Sequence, residues 1–292
     1  AIVGDPVSGV ARFDTTGSIK VIGTDVSVTD SELIFDSTGP IIVRLSDIEV
    51  IRGDLILNSQ ADLSLINGST VAIDGGDLFF AVGGTTLLDA SSYIIQMSGD
   101  LAGLVNGKFI LDGAITTVGS ARLNVISDVA INGMFNIVKG LHVDSEANIL
   151  VTGALSSLAA TTLDASKGIL IGESASVEVG GDFEGISGED FVLNGTLILR
   201  GSNNSFRVDG YLILNSELIA QNLMLDVGSV FKVTETLSIV GSLKAEINDH
   251  FTLADTGVIT AGAVTLIAVE DINLAGSLNT NLIDGVITLT SM

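Results

Sequence analysis

His142 and His250 are the chain's two imidazoles, and neither stands in a metal-ligand spacing such as H-x-x-x-H. With no Cys, thiol catalysis is excluded. There is no G-x-S-x-G elbow to activate a serine. Gly83-Gly84 and Gly180-Gly181 read as opening strands, not the helices that phosphate or dinucleotide sites require. What remains is carboxylate chemistry. Asp249-His250, with Glu246 or Asp271 one rung on, is the grouping that could do general acid–base work or hold Ca²⁺. Asp249 follows Asn248, however, and Asn-Asp is ordinary turn chemistry. The stacking aromatics of a carbohydrate cleft are scarce: Tyr93 and Tyr211 beside 11 Phe.

A second candidate is Arg52-Gly53-Asp54, which spells the integrin-recognition tripeptide. Gly53-Asp54 also belongs to a recurring Gly-Asp-Leu signature, so only Arg52 is new, and no insertion around it would project a loop. The remaining acids fall singly at corners and outward positions, among them Asp25, Asp30, Asp36, Asp74, Asp112, Asp128, Asp144 and Asp164. No G-G-x-G-x-D array writes a Ca²⁺ ladder into the chain. The expectation is therefore no catalytic, cofactor or metal residues and no cofactor, with weak Ca²⁺ or Mg²⁺ binding at stacked carboxylates as an open option. Asn67-Gly-Ser, Asn194-Gly-Thr and Asn203-Asn-Ser match glycosylation acceptors, matches that arise by chance in an Asn/Gly/Ser-rich chain.

The elements that must position these residues are short strands. Segments such as DLIL (54–57), DLSLI (62–66), TVAI (70–73), DLFF (77–80) and TLIL (196–199) alternate apolar and polar side chains, sending every second one to the same face. Between them stand Asn67-Gly68, Gly75-Gly76, Asn106-Gly107, Asn132-Gly133 and Asn194-Gly195, read as tight turns whose residues tolerate positive φ. No window carries a capped i, i+3, i+4, i+7 stripe; residues 155–165 come nearest and still read as strand. The chain is all-β.

The Gly-Asp-Leu signature recurs at Asp54, Asp77 and Asp100, with 77 − 54 = 23 and 100 − 77 = 23, and a diverged copy stands at Gly181-Asp182-Phe183. About three short strands per period of 20–23 residues is what one coil of a β-solenoid needs. The expected architecture is a single continuous solenoid over residues 1–292, with 1–16 as a lead-in. It would have ~14 rungs stacked at ~4.8 Å into a rod roughly 65 Å long. Leu55, Leu57, Leu63, Leu65, Val71, Ile73, Leu78 and Phe80 should point inward. Stacking on like residues favours Val, Ile and Leu, in keeping with 4% aromatic content; Pro, which lacks the N–H that the next rung requires, is confined to Pro6 and Pro40.

Composition bounds the partners. The 292 residues carry 12 Lys+Arg against 35 Asp+Glu, a formal charge of −23, which argues against nucleic acid and against anionic membrane surfaces. At 47% hydrophobic the chain is far from the disordered regime, and no apolar run approaches the ~20 residues of a membrane span. Many exported bacterial surface proteins lack Cys, as this chain does. Opening at Ala1 without a basic leader fits a processed N-terminus or a fragment boundary.

The stretches GDLILNSQADLSLINGSTVAIDGGDLFF (53–80), NILVTGALSSLAATTLDASKGILIG (148–172) and VTLIAVEDINLAGSLNT (264–280) resemble haemagglutinin-type repeats of filamentous-haemagglutinin-like, two-partner-secreted exoproteins. The resemblance covers most of residues 17–290 as degenerate coils, without the Asn-Pro-Asn-Gly signature of that family's secretion domain. It implies a right-handed parallel β-helix at the cell surface, working non-enzymatically as an adhesin or fibre. Its partners would be further copies of itself, a longer parent chain, or glycans of host or neighbouring cells. The alternative is a carbohydrate-active β-helix enzyme, a polysaccharide lyase or glycoside hydrolase with an acidic groove. An inserted loop bearing clustered carboxylates would favour the enzyme; uniform rungs would favour the fibre. Strand rhythm at Ile2-Val3, Val10–Phe13 and Val286–Thr290, with Pro6 as the only blunting residue, leads to the further expectation that such rods associate end to end.

Overall fold

The computed structural model describes residues 2–4, 9–281 and 285–292; Pro6, expected to blunt the first edge, and residues 282–284 lie outside them. Every described element is a strand, and the described strands pair in parallel. No helix long and apolar enough to cross a membrane is present among the described residues. Three strands and three corners close each coil, and the strands of successive coils join three parallel sheets, giving about 13 turns of roughly 21 residues. The chain divides into two compact units, Ala1–Ser145 and Glu146–Met292.

In the first unit, the second of the three sheets stacks Leu33 on Leu55, Leu78, Leu101, Ala121 and Leu141 in register. The steps show that coil length is not constant: 55 − 33 = 22, 78 − 55 = 23, 101 − 78 = 23, 121 − 101 = 20 and 141 − 121 = 20. In the second unit, the same sheet takes steps of 22 from Thr161 to Phe183, 19 from Asn204 to Leu223, 20 on to Leu243 and 21 on to Val264. Residues 155–165 form the strands Ala154–Ser157 and Thr161–Ala165, as their alternation predicts.

The predicted core positions are all inside. Leu55, Leu57, Leu63, Leu65, Val71, Ile73, Leu78 and Phe80 are each at most 2% exposed. Nine of the 11 Phe are fully buried. In the second unit Phe206 meets Phe191 edge-on at 4.8 Å and Phe183 at 5.2 Å, a geometry that adds to simple burial. Large rings demand space from neighbouring rungs, and glycine supplies it. Gly103 lies inside a strand directly beneath the Phe80 ring, and Gly185 lies between Phe183, Phe191 and Phe206.

Positive φ accounts for only part of the glycine pattern. Asn67 and Gly68 do take left-handed φ values of 59° and 79° and turn the chain as expected. Gly107, Gly133 and Gly195 stand at corners, as their Asn-Gly pairs predict, but without positive φ. There the coil corners nest against one another, and a Cβ would collide with backbone of the preceding rung, such as Gly113 beneath Gly133. Close approach, not chain reversal, requires the missing side chain.

Candidate functional site

The Gly-Asp-Leu signature resolves into three structural tasks. Gly53, Gly76 and Gly99 let successive corners touch: a Cβ on Gly53 would strike the Ser31 carbonyl, and on Gly76 or Gly99 the glycine carbonyl one rung back. The Leu enters the core. The Asp ties one corner to the next, because Asp77 N–H donates to Asp54 Oδ1 (2.8 Å), Asp100 N–H to Asp77 Oδ1 (2.7 Å) and Ser120 N–H to Asp100 Oδ1 (2.7 Å). Asp62, Asp182, Asp190 and Asn222 repeat the device elsewhere. These side-chain oxygens satisfy backbone donors that a corner would otherwise leave to solvent.

That ladder also disposes of the integrin-like tripeptide as a displayed loop. Arg52-Gly53-Asp54 is a three-residue corner between Asp47–Ile51 and Leu55–Ser59. Arg52, at φ 54°, grips Asp30 one rung away through Nε–Oδ1 (2.5 Å) and Nη2–Oδ2 (2.7 Å), while Asp54 is held by Asp77 N–H. The hydrogen bond from Arg52 is the leading cause that holds the Asp30 carboxyl below its ordinary range. Both charges that a receptor would need are engaged within the solenoid.

The Asp249-His250 candidate occupies a corner of the second unit, between strands Ser242–Ile247 and Phe251–Leu253. Register on either side, Ile247 against Ala268 and Phe251 against Ile272, fixes the next corner at an offset of 21 (268 − 247 and 272 − 251). Glu270 therefore stands over Asp249, and its N–H donates to the Asp249 carbonyl (2.9 Å). His250 Nδ1 lies 2.8 Å from Asp249 Oδ1, and the Ser229 hydroxyl reaches Asp249 Oδ2 from the rung below at 3.4 Å. The hydrogen bond with His250 is the main cause that keeps the Asp249 carboxyl below its ordinary range.

Of the two partners expected for this pair, Asp271 does stand one rung on, over His250, and Glu246 does not. Glu246 lies on the sheet face, opposite Ile267 and Asp226, paired with Lys244 at 2.7 Å. Asp271 is in register with His250 and supplies its carbonyl to Phe251 N–H (3.0 Å). Glu270 is the acid that joins Asp249 and His250: one donor atom from each of the three lies within 4.8 Å of the others, and among the described residues no other such trio of His, Asp or Glu occurs.

As a hydrolytic triad the corner is miswired. A serine nucleophile must hydrogen-bond the imidazole that takes its proton. Here Ser229 reaches the carboxylate, and His250 has the same carboxylate as its partner. The larger surface hollows lie elsewhere. A groove of about 540 Å³ in the first unit is lined by Asp36, Asn58, Gln60, Leu104 and Asn106, and one of about 450 Å³ in the second by Asn203, Ser205, Asn222, Met224 and Lys244. Neither sets two carboxylates against each other. A smaller hollow of about 290 Å³ brings Glu184, Arg207, Asp226, Lys244 and Glu246 onto one sheet face, a charged group that strand alternation alone did not reveal. No family model matches the chain, and neither the curated proteins nor the solved structures contain a match to it.

Proposed function

We propose that the chain is a non-enzymatic structural or adhesive β-solenoid of the cell surface or of an extracellular fibre. One observation carries this reading. Setting aside the two segments that hold residues outside the described set, every connection between consecutive strands is one to four residues long. Such corners leave no inserted loop from which to build a water-excluding cleft, and catalytic groups need that positioning. Asp54, Asp62, Asp77, Asp100, Asp182 and Asp190 are committed to holding rung to rung, and the haemagglutinin-like repeat style supports the same class. In this reading the partners are further copies of the chain or surface glycans.

The alternative, a carbohydrate-active enzyme, is favoured by one feature: Arg207, Asp226, Lys244 and Glu246 on a single face of the second unit. Incubation with acidic and neutral polysaccharides, followed for reducing ends and unsaturated uronides, separates the two. The structural reading expects no turnover above a heat-denatured control. Turnover that Glu246→Gln abolishes would overturn it.

A further inference from the structure

Acids in register on neighbouring rungs recur along this chain, and like charges directly opposite are destabilising unless something intervenes. Asp14 and Asp36 share Arg12, with contacts of 2.6 and 2.7 Å. Asp54 and Asp77 each take an N–H from the next corner. Asp226 and Glu246 have Arg207 opposite Asp226 and Lys244 on Glu246. Lys108 stands over Asp128 at 2.9 Å. At Asp249 and Glu270 the compensation is different. Among the described residues no Lys or Arg pairs with either carboxylate, and no corner N–H is donated to the Asp249 side chain. His250 and the Ser229 hydroxyl are the groups that face them, with Asp271 adding a third acid to the same pair of corners.

We propose that Asp249, His250 and Glu270 form a binding site for a borderline divalent cation of the Zn²⁺ type. Each contributes one donor, an imidazole nitrogen and two carboxylate oxygens, already within 4.8 Å of one another. A tetrahedral Zn²⁺ with bonds of about 2.0–2.2 Å holds its ligands roughly 3.3 Å apart, so the donors need draw together by no more than about 1.5 Å. The backbone beneath is fixed, because Glu270 N–H is bonded to the Asp249 carbonyl at 2.9 Å. The mixed nitrogen and oxygen set selects the ion class. Imidazole suits Zn²⁺ and its neighbours, whereas Ca²⁺ takes six or more oxygens, which this corner does not assemble. Three protein donors leave at least one position for water. The ion would staple two successive corners of the second unit and neutralise the stacked acids.

The test is calorimetric titration of the full chain with Zn²⁺ in a non-coordinating buffer, alongside His250→Ala, Glu270→Gln and His142→Ala. The expected result is one saturable site, unchanged by excess Ca²⁺ and by His142→Ala, and weakened at least tenfold in the other two variants, the scale on which metal-site partners act. Far-UV spectra check that the exposed-corner variants keep the β fold. X-ray absorption at the zinc edge on the unmutated chain reads the same question without substitution: one imidazole nitrogen with oxygens is expected. Absence of saturable uptake, full affinity in both His250→Ala and Glu270→Gln, or an all-oxygen shell would each overturn the proposal.

Discussion

The pairing of Phe80 with Gly103 can be tested by a double-substitution cycle. Leu57, Phe80, Gly103 and Leu123 face inward on four successive rungs, in register. A Cβ placed on Gly103 would run into Cζ and Cε2 of Phe80 and come within 2.8 Å of Leu123 Cδ2. Carbon atoms pack comfortably at about 3.5–4.0 Å, so Leu123 must retreat by nearly an ångström and the ring by more. Overpacking of this kind costs about 1–3 kcal/mol. Against it, Ala in a strand recovers about 0.5–1 kcal/mol of unfolded-state entropy at a position whose φ it can adopt. Gly103→Ala should therefore destabilise by roughly 1–2 kcal/mol. Phe80→Leu removes the ring atoms that the new methyl would meet, and in that background Gly103→Ala should be neutral or stabilising. The coupling between the two sites, read from guanidinium unfolding followed by far-UV circular dichroism, should be about 1–3 kcal/mol. Gly23→Ala is the control: its φ is +58° and nothing lies within 4 Å of the added Cβ, so its cost should not depend on residue 80. A coupling under about 0.5 kcal/mol would show that the glycine is not there to seat the ring.

Three further outcomes follow from the corner chemistry. Asp77→Ala should lose the acceptor for Asp100 N–H and cost about 0.5–1.5 kcal/mol, whereas Asp77→Asn keeps an acceptor oxygen and should cost less; equal losses in denaturant unfolding would dismiss the ladder. Burial pushes the Asp89 carboxyl up, but the N–H of Asn67 and the hydroxyls of Ser92 and Ser91 prevail and its net shift is downward from 3.8. Its folded value is thus depressed, its stabilisation is present above pH 3.8 and is lost as pH falls below that, so a melting series from pH 2 to 6 should show a shallower acid limb for Asp89→Asn than for the unmutated chain. Arg52→Ala should leave the attachment of integrin-bearing cells unchanged and lower the denaturation midpoint only slightly, an effect that high salt erases; attachment that depends on Arg52 would reinstate the tripeptide as a ligand.

The fold was legible because a solenoid repeats its logic at short range. Alternation in DLIL and DLFF assigns Leu55, Leu57, Leu78 and Phe80 to the core with no tertiary knowledge, and the 23-residue recurrence of Gly-Asp-Leu names the coil. What alternation cannot supply is the partner across rungs. Coil steps vary from 19 to 23 residues, so a corner residue cannot be matched with its neighbour by adding a fixed period. That is why Glu246 looks like a companion for Asp249-His250 in the sequence, while an offset of 21 delivers Glu270 over Asp249 and Asp271 over His250. The same limit hides Gly103, a strand glycine whose reason, the ring of Phe80, lies one rung away.

In a stacked-coil protein every outward side chain belongs first to a column, and its chemistry is spent on the residue above or below unless the column rule fails. Gly-Asp-Leu looks like a motif with a purpose, and it has one, but the purpose is structural: Asp54, Asp77 and Asp100 hold neighbouring corners together. Arg52-Gly53-Asp54 follows the same rule, with its guanidinium on Asp30. Functional residues are therefore better sought where the rule breaks than where a pattern recurs. The corner of Asp249 and Glu270 is such a break, since two acids stack there with an imidazole where other columns place an N–H or a Lys or Arg. If the rule has this diagnostic value, replacing the break should relieve strain. Glu270→Lys would set opposite charges over Asp249, as Lys108 sits over Asp128, and should raise the denaturation midpoint slightly at low salt while eliminating Zn²⁺ uptake. A variant that gains no stability at low salt would show that the stacked acids are already at ease, and would remove the argument that this corner departs from the others.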